Sequence, residues 1–179
     1  MVALWCVPVI IYFLVQARKP QKTARDVCAT LGLQPGTKRG YGYAALIFVV
    51  FFALSVGALK LLPTELLNSS GTTFGRITSI AAGIAVVLLA AGEELFFRGL
   101  IAGVAFRRFS FPIANLIQSV LFFLPHLLLL SVDLRFWPLL PLQFAIGWVL
   151  GWLRYTSGSI LPGVIIHVLT NVLIGFMIS

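Results

Sequence analysis

Six apolar stretches, most of them close to the length of a membrane-crossing helix, fill most of this 179-residue chain and leave it few ways to fold. They run Val2–Gln16, Tyr43–Leu62, about Arg76–Phe106, Phe111–Leu130, Phe136–Tyr155 and Ser159–Ile178. A bilayer core of about 30 Å takes about 20 apolar residues as helix. Val2–Gln16 is short, so it reads as a short or tilted span, with an interfacial start as the alternative. The breaks carry turn chemistry at Pro20, Pro35-Gly36, Pro63, Asn68-Ser69-Ser70-Gly71, Ser110 and Ser157-Gly158. Apolar residues make up 60% of the chain and charged residues 10%, where soluble domains carry about 25% charged residues. An ordinary soluble domain and a disordered tail are both excluded. The predicted fold class is an all-α, polytopic transmembrane helix bundle of about six membrane helices. It forms a single integral-membrane domain over residues 1–179, and the lipid bilayer is its first partner.

The charge is equally patterned. Thirteen basic and five acidic residues give a net charge of +8, but the basic groups fall between the apolar runs. No basic patch is interleaved with stacking aromatics, so no nucleic-acid partner is expected. The loop from Ala17 to Tyr41 holds Arg18, Lys19, Lys22, Arg25, Lys38 and Arg39, which predicts a cytoplasmic side. Within it Ala24, Val27, Cys28 and Leu31 recur at i, i+3, i+4 and i+7 and predict a short helix on the membrane surface. Alternation then puts Arg107, Arg108 and Arg154 on the same side. Lys60, Arg76 and Arg135 fall opposite, and both termini are non-cytoplasmic. No basic residue precedes the first run and no small-x-small site follows it, which argues against a secretory signal peptide. Cys6 and Cys28 make neither a disulfide framework nor a metal spacing. Asn68-Ser69-Ser70 fits a glycosylation acceptor, which is without meaning in a bacterium. The small size points to a multi-pass protein of a prokaryotic cell membrane.

The third run reads Ala90-Ala91-Gly92-Glu93-Glu94-Leu95-Phe96-Phe97-Arg98-Gly99. A charged side chain at mid-bilayer costs about 2.5–3.5 kcal/mol on insertion scales, so these three should face the bundle interior with partners. Glu94 and Arg98 stand at i, i+4 and can pair. Glu93 points about 100° away from Glu94 and is left without a cation of its own, as suits a general base. The fourth run holds Phe122 and His126; the sixth holds His167 and Asn171, again at i, i+4. At about 1.5 Å per residue, Glu93 and His126 lie about 20–22 Å from the hairpin turn between their runs. His167 and Asn171 lie about 12–18 Å beyond Ser159. All four therefore fall in one broad layer. Each His or Asn alone reads as interhelical glue, and a Glu–Arg pair alone as a structural lock. The second carboxylate fits neither reading. Phe122, in a chain with 15 Phe, reads as packing. Gly83, Gly92, Gly99, Gly103, Gly147 and Gly151 read as points where helices approach closely.

Three motifs in order carry a resemblance. Glu93-Glu94-x-x-x-Arg98, Phe122-x-x-x-His126 and His167-x-x-x-Asn171 resemble the E-E-x-x-x-R, F-x-x-x-H and H-x-x-x-N motifs of the CPBP family, also called ABI or CAAX-protease-like. The stretch Arg154–Leu161 is similar too, and the motif core covers about 76–178. The resemblance implies an intramembrane endopeptidase like the type II CAAX prenyl endopeptidases. Its substrate would be a membrane-associated peptide or protein, lipidated in the eukaryotic members. Some bacterial members are linked to bacteriocin self-immunity. By the same resemblance Glu93 activates water, His126 helps hold that water, and His167 and Asn171 stabilise the oxyanion. Glu94 and Arg98 support the site. No Ser or Cys nucleophile sits in a suitable context, so a covalent mechanism is disfavoured.

Two rivals stay open. Glu93, His126 and His167 are an alternative ligand set for Zn²⁺. The lack of H-E-x-x-H and the Asn at i+4 favour a reaction with no cofactor. Outside enzymes, the same buried groups suit a bacteriocin-immunity-type scaffold or a small proton-linked transporter.

Overall fold

A computed structural model describes residues 2–67 and 75–179, and every regular element in it is helical. The predicted turn and glycosylation pattern at Asn68–Gly71 lie outside the described residues. In chain order the helices are α1 (Val2–Ala17), α2 (Ala24–Leu31), α3 (Lys38–Lys60), α4 (Thr64–Leu67) and α5 (Ile80–Glu94). Helix α5 runs on through a π-helical segment, Leu95–Ile101, into α6 (Ala102–Ala105). Then follow α7 (Phe111–His126), α8 (Leu129–Val132), a 3₁₀ segment (Leu134–Leu139), α9 (Leu140–Ser157) and α10 (Leu161–Met177). Four stretches are long and apolar enough to cross a membrane: Lys38–Lys60, Ile80–Ala105, Phe111–Val132 and Leu134–Ser157. The other two predicted spans are the shorter apolar helices Val2–Ala17 and Leu161–Met177. The chain is thus an integral membrane protein with a polytopic helical bundle.

Polarity is distributed inside out. Glu94, Arg98, Asn115, Gln118 and Ser119 are fully buried, whereas Leu46, Val49, Ile84, Leu116, Ile165 and Leu169 are exposed. Water would reverse that arrangement; lipid favours it, because apolar side chains cost nothing there and polar ones must find partners.

Helix boundaries differ from the apolar runs where capping decides them. Helix α3 begins five residues before Tyr43, because Thr37 Oγ1 accepts from Gly40 N at 3.1 Å. Helix α5 begins at Ile80 rather than near Arg76, because Ser79 Oγ accepts from Ala82 N at 3.1 Å. Helix α7 stops at His126, short of Leu130. There the chain tightens into i, i+3 turns, Leu127 N donating to Leu124 O at 3.1 Å and Leu128 N to Pro125 O at 3.2 Å, before α8. Helix α9 ends at Gly158, whose φ of 72° suits only glycine well.

The loops gather by charge. At one end Thr37 N donates to Ser157 O at 3.2 Å, Ile160 N to Gly32 O at 3.0 Å, and Ser159 Oγ to Gln34 O at 2.5 Å. The basic loop and the Arg107-Arg108 turn lie at this end. At the other end Ile77 N donates to Gly175 O at 3.3 Å, tying the entry of α5 to the exit of α10. The amphipathic stretch does form a helix, α2, held by a capping box between Thr23 and Asp26. Its buried residues Val27 and Leu31 face protein: Val9, Tyr12 and Phe13 of α1, and Leu95 and Leu100 of the π segment. Ala24 of the predicted face is exposed and Cys28 half-buried.

Close approach explains four of the six glycines singled out from the sequence. A Cβ at Gly103 would strike Thr30 O, and one at Gly151 would strike Asn115 Oδ1 and Gln118 Nε2. At Gly99 it would lie 3.1 Å from Leu31 O and at Gly147 3.2 Å from Phe122. At Gly83 and Gly92 it would make ordinary contacts of 3.5 Å.

Candidate functional site

Glu93 and Glu94 end the regular α-helical part of α5, and Arg98 lies in the π-helical segment that follows. A π segment widens the helix by one residue per turn and is found disproportionately at functional sites. Glu94 and Arg98 are both fully buried, with Arg98 Nη1 2.9 Å from Glu94 Oε1. The same Glu94 oxygen lies 2.9 Å from His167 Nδ1, across 73 residues of chain. Since an ionised carboxylate only accepts, His167 Nδ1 is the donor. The other ring nitrogen, Nε2, lies 3.9 Å from Glu93 Oε2. Glu94 therefore orients His167, and His167 faces Glu93. Gly163, on α10, makes room for this: a Cβ there would sit 3.2 Å from Glu94 Oε2.

The guanidinium of Arg98 stacks over the ring of Phe122, 4.1 Å from its centroid, and Nη2 reaches the carbonyls of Ile146 and Gly147 at 3.5 Å. Phe122 is fully buried and meets His126 at 4.7 Å between ring centroids. It is packing, as its abundance suggested, but it packs the site itself. His126 Nδ1 donates to Phe122 O at 2.9 Å, which leaves Nε2 as an acceptor. The loss of regular helix after Pro125 puts His126 at the helix end.

Glu93, His126, His167 and Asn171 all line one cavity of about 350 Å³. They come from α5, α7 and α10, as the depth arithmetic expected. Glu94 and Arg98 stand behind them and do not line it. Three further polar residues do: Ser55 of α3, Gln143 of α9 and Thr170 of α10. The sequence reading passed over them. Gln143 carries a signal that could have been used, being the one carboxamide in the run Phe136–Tyr155. The rest of the wall is apolar, including Phe48, Phe51, Leu142 and Ile146.

A second buried polar cluster braces α7 on α9. Gln118 Nε2 donates to Asn115 Oδ1 at 2.9 Å and to Gly147 O at 2.8 Å, and Asn115 Nδ2 donates to Trp148 O at 3.1 Å. The Gly147 carbonyl is shared with Arg98, so this brace reaches the site.

Zinc fits poorly. Among the described residues no group of three His, Cys, Asp or Glu side chains is gathered closely enough to hold a metal ion. That includes Glu93, His126 and His167. Each imidazole has Nδ1 held within the protein, His126 by Phe122 O and His167 by Glu94, and keeps Nε2 toward the cavity.

The family described as type II CAAX prenyl endopeptidase Rce1-like matches residues 75–173, more than half of the chain. No curated protein and no solved structure matches.

Proposed function

The chain belongs to the type II CAAX prenyl endopeptidase Rce1-like family, and on that premise we propose that it hydrolyses peptide bonds inside the membrane with a water activated by Glu93. The observation that carries this reading is the shared cavity. Four polar groups from three helices open into one partly apolar space, and the carboxylate among them faces Nε2 of His167 at 3.9 Å rather than an arginine.

In the proposed reaction water sits between Glu93 and His126. His126 Nε2 accepts a hydrogen bond from it, and Glu93 takes its proton as oxygen attacks the scissile carbonyl carbon. The carbonyl oxygen becomes an oxyanion. Asn171 donates to it through its carboxamide, and His167 through Nε2–H of the imidazolium, since Nδ1 is held by Glu94. Each such donor is worth about 2.7–4 kcal/mol in transition-state stabilisation. Collapse breaks the C–N bond, and Glu93 returns its proton to the leaving amine. One water is consumed, and a carboxylic acid and an amine are released. Glu94 and Arg98 keep His167 in place without touching substrate. No step needs a cofactor.

The apolar wall supports a membrane-associated peptide or protein substrate, and the family description supports a lipidated one. The cell membrane of a prokaryote is the proposed location. The test is a comparison of protein termini in membranes from cells carrying wild type or Glu93→Gln at equal levels. Termini present with wild type and absent with the variant are expected, and they continue to form when wild-type membranes are mixed with variant membranes, which hold the uncut substrates, in a stringent chelator. Identical termini in both would overturn the protease reading and favour the immunity-type scaffold or transporter. Failure of the termini to form in the chelator, with recovery in Zn²⁺, would overturn the cofactor-free mechanism alone.

A further inference from the structure

About 20 Å along the helix from Glu93, at the basic end of the bundle, two guanidinium groups share a second cavity of about 380 Å³. Arg154, in the last turn of α9, is only 8% exposed. Its Nη2 donates to Thr30 O at 3.1 Å, and Arg107 Nη1 donates to Thr30 Oγ1 at 2.7 Å. Among the described residues neither arginine has an ion pair with a carboxylate. Asp26, the acid of α2, is turned to its own cap, accepting from Thr23 N at 2.8 Å and Thr23 Oγ1 at 2.7 Å. The other charged groups of this end, Arg18, Lys19, Lys22, Arg25, Lys38, Arg39 and Arg108, are all cations.

Part of this has a structural explanation. Thr30 is in the last turn of α2, and a cation at a helix C-terminus is favourable. That accounts for one donor of Arg154. Its Nε stays buried without an acceptor, and helix capping does not explain the space into which the exposed Arg107 reaches from the rim. Burying the Arg154 cation with no counter-charge is strongly unfavourable. The same walls carry aromatics: the Phe106 and Tyr155 rings stand 5.2 Å apart, and Tyr155 is 54% exposed. Amphipathic rings of this kind sit at the headgroup level of a bilayer.

We propose that this cavity binds a phosphate oxyanion, presented by the headgroup of an anionic phospholipid at the basic face of the membrane. Guanidinium forks match phosphate oxygens in geometry and charge. Basic cavities between membrane helices are suited to such headgroups. The bound lipid would bridge α2, the Arg107 turn and α9, and it would lie apart from the Glu93 cavity.

Native mass spectrometry of the purified full chain tests this with phosphatidylglycerol, phosphatidylcholine and inorganic phosphate as probes. Arg107→Gln removes one guanidinium and leaves the Arg154 cap in place; Arg108→Gln, in the same turn, is the control for general surface charge. A single phosphatidylglycerol is expected on wild type in preference to phosphatidylcholine, whose choline offsets its phosphate. Its affinity should fall about tenfold in Arg107→Gln and stay unchanged in Arg108→Gln. Inorganic phosphate should compete with it. Binding of inorganic phosphate with no preference among the lipids would keep the phosphate site but make a solute its source. Equal loss in the two variants, or no loss in Arg107→Gln, would overturn the site. Both variants are checked for folding by their melting temperatures.

Discussion

The buried link between Glu94 and Arg98 can be tested by a double-mutant cycle. Arg98→Met takes away the cation and leaves Glu94, fully buried, with His167 as its remaining polar contact. Glu94→Gln keeps the shape and strands the guanidinium instead. Breaking a buried pair from one side costs about 3–5 kcal/mol, since the survivor is a desolvated charge without a partner. Loss of the stacking on Phe122, at 4.1 Å, falls within the Arg98→Met arm. For a chain of this length each kcal/mol moves the melting temperature by about 2–4 °C, so each single variant should melt about 6–20 °C lower. The double variant buries neither charge, and its loss should fall short of the summed single losses by about 0.5–3 kcal/mol. Thermal unfolding in detergent, followed by tryptophan fluorescence, reads all four proteins. Peptidase activity on the same preparations should stay lost in the double variant, because His167 no longer has a carboxylate to orient it. If the two losses add within about 0.5 kcal/mol, the charges do not interact and the pairing is wrong.

Asn171→Ala should lower turnover about 10²–10³-fold with little change in melting temperature; full activity would remove Asn171 from the oxyanion site. Gly151→Ala should destabilise the bundle by about 1–3 kcal/mol, because a Cβ there meets the Asn115 and Gln118 side chains; an unchanged melting temperature would show that α7 and α9 are not so close. Hydrogen bonds from Thr23 hold the Asp26 carboxyl below its ordinary 3.8. The first turn of α2 therefore keeps this support above that pH and loses it as pH falls through the lowered value. The Asp26 carboxyl carbon, followed by NMR, should titrate below 3.8 and move back up in Thr23→Ala; equal titration in both proteins would rule the cap out.

Much of the fold is legible in the chain because membrane helices are written locally. A run of apolar residues must become helix in lipid, since its backbone groups have no water to bond. The depth of Glu93, His126, His167 and Asn171 follows from counting residues, so their shared layer can be read before any packing is known. Helix starts are less legible. They follow the hydroxyls of Thr37 and Ser79 rather than the first apolar residue, and α7 tightens into i, i+3 turns inside an apolar run.

The sequence by itself determined which stretches form long apolar helices, how far along them the polar residues stand from the turns, and that Glu94 and Arg98, one turn apart, share a face. Tertiary structure alone decided which way each helix is rotated. That rotation gives Glu94 to His167 across 73 residues, sets Phe122 on Arg98, and turns Val27 and Leu31 into protein. It also brings Arg107 and Arg154 to one cavity around Thr30. The reason is that period and depth belong to single helices, whereas azimuth is fixed between them by glycine contacts and shared carbonyls, such as Gly151 against Asn115 and Gly147 between Gln118 and Arg98.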